Sequence, residues 1–155
     1  MSRADLSRAR QLVRLRDIAF DRALRDLAEA TATMDLADAA VARALARRDA
    51  ATAAHFEARA ALVEAPADAS TGLARIALTA EREATAVTAA DEAELERRAV
   101  EDLVIAARTA VRKARARLDA MTARSDALLR TIVRADEERA SIETEEGAAA
   151  MRNAA

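Results

Sequence analysis

The chain has no cysteine, tryptophan or tyrosine, a single proline and only two glycines. Without cysteine there are no disulfides and no thiolate chemistry, which fits a reducing compartment. Aromatics are limited to Phe20 and Phe56, so the stacking platforms of single-strand nucleic-acid binders are missing. No apolar run approaches the roughly 20 residues that a membrane span needs. The N-terminus shows no apolar h-region, so no secretory signal is expected. It is Arg-rich and amphipathic, as transit peptides are, but Asp5, Asp17 and Asp21 argue against that reading.

What the chain does have is alanine, at 47 of its 155 positions, and 34% charged residues. So few large hydrophobes cannot assemble a thick multilayer core, and the length points to one domain. Large residues recur every seven positions at Leu6, Val13, Phe20, Leu27, Met34 and Val41, then Arg48, His55 and Leu62. Three residues after each rung runs a second ladder: Ala9, Arg16, Ala23, Ala30, Ala37, Ala44, Ala51 and Ala58. A repeat of seven held over about eight heptads describes a helix under-wound to show one narrow seam to another helix.

Breaker chemistry gathers in one place, Ala65-Pro66-Ala67-Asp68-Ala69-Ser70-Thr71-Gly72. Proline disfavours helix at the residue before it and lacks an N–H, so helix one should span about 3–64. The turn is expected over 65–72, with Asp68, Ser70 or Thr71 capping the next helix. Helix two should run from 73 to 147, where Gly147 ends it, leaving a frayed tail at 148–155. Its seam reads Ala86, Ala90/Ala93, Arg97/Val100, Val104/Ala107, Val111/Ala114, Leu118/Met121, Ser125/Leu128 and Ile132/Ala135, with Ile142 beyond. Before Val87 the apolar set (Leu73, Ile76, Ala77, Ala80, Ala84) is rotated, which suggests a register adjustment near the turn.

The expected fold class is therefore all-α, a long antiparallel two-helix coiled-coil hairpin over residues 1–155. At 1.5 Å per residue, helix one would be about 90–95 Å long. Folding at about residue 68 sets Leu62 near Ala74, Val41 near Glu94 and Leu95, and Phe20 near Ala116. Residues past about 135 would have no partner helix.

Net charge is only −2, but it is unevenly distributed. Residues 1–25 carry seven arginines against three aspartates, and 108–134 carry eight basic groups against two acidic. Residues 26–107 carry sixteen acidic against eight basic groups, and 135–155 carry six against two. A hairpin brings the two basic blocks side by side at its open end and leaves the turn-proximal half acidic. Such polarity bears on partners and steering rather than fold.

No catalytic constellation emerges, and no enzyme activity, cofactor or metal is expected. The lone histidine, His55, sits on a seam rung with Glu81 and Glu83 expected opposite, and general-base or ligand roles need convergent groups. Asp91, Glu92, Glu94 and Glu96 are near-consecutive helical residues that point in different directions, as a solvated face does. The seam residues Arg16, Arg48, Arg97 and Ser125 either fix register or, the favoured reading, turn their heads outward from a thin two-helix seam. The basic stretch from Arg108 to Arg117 lacks stacking groups, so it reads as a solvated or protein-docking face rather than a specific nucleic-acid site.

The N-terminal run Arg8-Ala-Arg10-Gln-Leu12-Val13-Arg14-Leu15-Arg16, followed by Ala23-Leu24 and a long Ala-rich heptad helix, resembles the FliJ/YscO family. These are coiled-coil stalk proteins of the type III export machinery in flagella and injectisomes. The resemblance implies a cytoplasmic shaft, peripheral to the membrane through its partners. Its open end would enter the hexameric export ATPase, its mid-to-turn region would meet the export gate protein, and it would also hold export chaperones. The positions that meet the ATPase correspond here to Arg10, Leu12, Arg14, Leu15 and Arg16 on helix one and Arg124, Arg130 and Arg134 on helix two. The near absence of aromatics departs from flagellar members. Competing readings are a granule- or membrane-surface amphipathic helix, a nucleic-acid organiser and a coiled-coil adaptor. Self-association of the Ala-rich hairpin is also open.

Overall fold

The computed structural model describes residues 3–64 and 69–153, and all of them are helical. Helix α1 spans Arg3–Glu64 and helix α2 spans Ala69–Asn153, packed against each other as an all-α hairpin. The proline that divides them, and the first four residues of the expected turn, lie outside the described residues. No described helix is long and apolar enough to cross a membrane.

The helices form for a local reason before a tertiary one. Alanine and the straight-chain residues that dominate both segments have the highest helix propensities, and no described residue has positive φ. The threonines would compete with the backbone, but they turn back onto their own helix instead. Thr31, Thr85 and Thr122 donate to the carbonyls of Leu27, Glu81 and Leu118 at 2.6, 2.9 and 3.0 Å.

Contacts divide the chain into two compact units. The first pairs Met1–Arg25 with Thr109–Ala155, and the second is Asp26–Arg108.

In the second unit the expected rungs of α1, from Leu27 and Ala30 to Ala58 and Leu62, are all buried or half-buried. Ala58 is 1% exposed, so an alanine is the most enclosed residue here, as a seam too narrow for bulk requires. Across from them, Gly72, Ile76, Thr79, Glu83, Ala86, Ala90 and Ala93 keep an unbroken 4–3 spacing on α2. The expected register adjustment near the turn is absent. Leu73, Ala77 and Ala84 are exposed, and the seam there is carried by a glycine, a threonine and a glutamate.

Register near the turn also differs from the expectation. The Leu62 side chain lies over Gly72, so close that a Cβ built on the glycine would stand 2.6 Å from Leu62 Cδ1. His55 Nδ1 meets Thr79 Oγ1 at 3.3 Å, in place of Glu81 and Glu83. The two shifts have one cause. Helix α2 begins at Ala69 rather than 73, because Gly72 serves as the slot for Leu62 and not as a breaker. The pairing point then moves toward the N-terminus by about one residue.

In the first unit Leu6, Ala9 and Leu128 form a buried cluster with Ile132 packed against it. Arg115 stacks over the Phe20 ring at 5.5 Å from its centroid, next to the expected Ala116. Arg3 reaches Asp136 at 3.2 Å, the cross-helix ion pair farthest from the turn among the described residues. Beyond it, residues 137–147 are all exposed, including Ile142 at 53%. Helix α2 passes through Gly147 to Asn153 instead of ending there. Nothing lies within 4 Å of where a Gly147 Cβ would sit, and alanines follow it, so the glycine costs propensity without forcing a stop.

Candidate functional site

Heptad position decides which side chains share a flank. With Leu6 and Ile132 at position a, the b and e positions of both helices fall on one side of the hairpin and the c and g positions on the other. The first unit carries a groove of about 540 Å3 on the b/e side. Arg3, Arg10 and Arg14 form one wall, and Leu129, Val133 and Asp136 the other. The Arg3–Asp136 ion pair bridges the two walls.

The eight nominated residues do not make one face. Arg10 and Arg14 line this groove. Leu12, Leu15, Arg124 and Arg134 take g and c positions on the opposite flank, Leu12 and Leu15 being 44% and 61% exposed. Arg130 occupies the outer f position, and Arg16, although on a seam rung, is exposed. The arrangement is a basic collar around the hairpin rather than a pocket. Arg3, Leu129 and Val133 were missed by sequence reading, and the b/e register of the heptad is the signal that would have found them.

The collar's charge is uncompensated. Among the described residues none of Arg10, Arg14, Arg16, Arg124, Arg130 and Arg134 forms an ion pair. Their neighbours do: Arg115 holds Asp119 at 3.0 Å, Arg139 holds Asp136 at 3.2 Å, and Arg8 approaches Asp5 at 3.9 Å. Six guanidinium groups without carboxylates, each with a planar fork of donors, can engage carboxylate or phosphate groups of a partner at little cost.

The polar rungs of the seam behave in different ways. Arg97 leaves the seam sideways and gathers Asp38 of α1 at 3.7 Å with Glu94 and Glu101 of its own helix at 3.4 and 3.5 Å. It therefore turns outward and ties the helices together at once. Arg48 reaches only its neighbour Asp49, at 2.8 Å, while Ser125 stays buried. Among the described residues His55 has one polar partner, Thr79, whose hydroxyl already donates to the Arg75 and Ile76 carbonyls. No cluster of three or more His, Cys, Asp or Glu able to hold a metal occurs among the described residues. A second groove, about 490 Å3, lies on the c/g side of the other unit between Ala44, Arg47, Leu78, Arg82 and Ala89.

The chain matches no protein-family model, no curated protein and no solved structure.

Proposed function

We propose that this chain is a non-enzymatic coiled-coil hairpin that docks the unit holding its N-terminal residues into an acidic surface of a protein partner. One observation carries the reading: the basic collar, six arginines brought together by the hairpin and left without carboxylates. In its finer form, which rests on the sequence resemblance, the partner is a hexameric type III export ATPase. The chain then acts in the cytoplasm as its stalk, with residues 26–108 turned to the export gate and to export chaperones.

The test is a pull-down of the export ATPase with the hairpin as bait, together with ATPase activity. Reversing Arg10, Arg14, Arg16 and Arg130 to Glu should abolish capture and stimulation of hydrolysis. Unchanged capture would remove the collar as the docking element. A second reading is favoured by the leucines among these arginines. Exposed Leu12, Leu15 and Ile18 beside unpaired guanidinium groups also suit an anionic lipid surface. Co-sedimentation with phosphatidylserine vesicles, lost in the same quadruple variant, would favour it over a protein partner.

A further inference from the structure

The Asp26–Arg108 unit carries a second apolar stripe that its own seam does not use. On α1 the b/e flank presents Leu45, Phe56 and Val63, the latter two 73% and 82% exposed. On α2 the same flank presents Leu73, Ala77, Ala80, Ala84 and Val87, with Leu73 58% exposed. These α2 residues include four of the five, all but Ile76, that look in the sequence like a rotated seam. One of only two aromatics in the chain stands almost bare on this face.

The geometry points to a second copy of this chain as the occupant, joined face to face through a two-fold axis into a four-helix bundle. The argument is self-complementarity. An axis beside residue 54 of α1 also passes beside residue 80 of α2, because His55 meets Thr79 and Leu62 meets Gly72. About that one axis α1 runs antiparallel to its copy, setting Leu45 against Val63 and Thr52 against Phe56. The two charged residues inside the stripe, Asp49 and Arg59, then face each other twice. On α2 the same axis sets Leu73 against Val87 and brings Ala80 onto itself, where small side chains allow close approach. No freedom remains to adjust one helix pair without the other, yet both match. Arg48 occupies only Oδ1 of Asp49 within the chain. Arg59 is exposed and has no carboxylate partner among the described residues. This isologous contact uses none of the collar arginines, so it stands or falls apart from the docking proposal.

Sedimentation equilibrium of the full chain should give twice the 16.6 kDa mass of one chain. Phe56→Glu should give the monomer mass with unchanged helical circular dichroism, since Phe56 contributes little to its own hairpin. Asp49→Arg and Arg59→Asp should each weaken the dimer, and the two together should restore it. Residues 49 and 59 are nearly three helical turns apart in one chain, so only pairing between copies gives that rescue. Because the chain lacks cysteine, oxidised Ala80→Cys should form a disulfide-linked dimer, while Ala89→Cys on the opposite flank should not. A chain that is monomeric up to its solubility limit would overturn the proposal and leave the face to a different protein. A dimer insensitive to Phe56→Glu, or swap variants that fail to rescue, would overturn the pairing.

Discussion

The contact between Leu62 and Gly72 makes a double-mutant cycle with a defined sign. Replacing a helical glycine by alanine gains about 0.8–1 kcal/mol of propensity. At Gly72 the new methyl would lie 2.6 Å from Leu62 Cδ1, with Leu62 Cβ and Cγ at 3.6 Å, so the leucine must turn away. Overpacking of this kind costs about 1–3 kcal/mol. Leu62 is half-exposed and two residues from the described end of α1, so the lower end of that range applies. Gly72→Ala should therefore be close to neutral in the native background. In a Leu62→Ala background the obstruction is gone, and the same substitution should stabilise by about 0.8–1 kcal/mol, or about 2–4 °C in Tm. The expected coupling is about 1 kcal/mol, well above the additivity error for distant sites. Urea and thermal unfolding followed at 222 nm measure all four corners. Gly147→Ala is the control: nothing surrounds it and its helical stretch lacks a partner, so helicity should rise without moving the main transition. If Gly72→Ala stabilised equally in both backgrounds, the close contact and the register built on it would be wrong.

Ala58→Leu should destabilise by about 1–3 kcal/mol, since the most enclosed rung has no room for three more carbons and the helices must separate; denaturant midpoints check this. Arg97→Ala should cost about 1 kcal/mol in dilute buffer by removing the tie to Asp38 and leaving Glu94 and Glu101 to repel. Repeating the unfolding at high salt should shrink that loss, because these groups are partly solvated.

The hairpin and its seam were legible in the sequence because period is a local property. A rung every seven residues with alanine three later leaves one stripe to bury, and α1 buries it from Leu6 to Leu62. Arg16 alone among those rungs is exposed, a long cation escaping a seam only two helices wide. Near the turn the reading failed in an instructive way. Two apolar stripes compete on α2 before Val87, and the one richer in leucine and alanine is not the buried one. Gly72 and Thr79 take the seam because α1 offers Leu62 and His55 there, which need a slot and a hydroxyl more than they need bulk, and Glu83 falls on the next rung of the same spacing. The collar was half legible: charge blocks indicated which segments were basic, but not which arginines would lack carboxylates.

By itself the sequence determined that the chain is helical, that it folds once near its proline, and which stripe of α1 faces inward. Propensity and heptad period act within a few turns and need no knowledge of the partner strand of the hairpin. Tertiary structure alone decided the register between the helices, the choice between two candidate stripes on α2, and which arginines stay unpaired. Those depend on where a side chain about 10 to 130 residues away finds space or charge, and no local pattern encodes that distance.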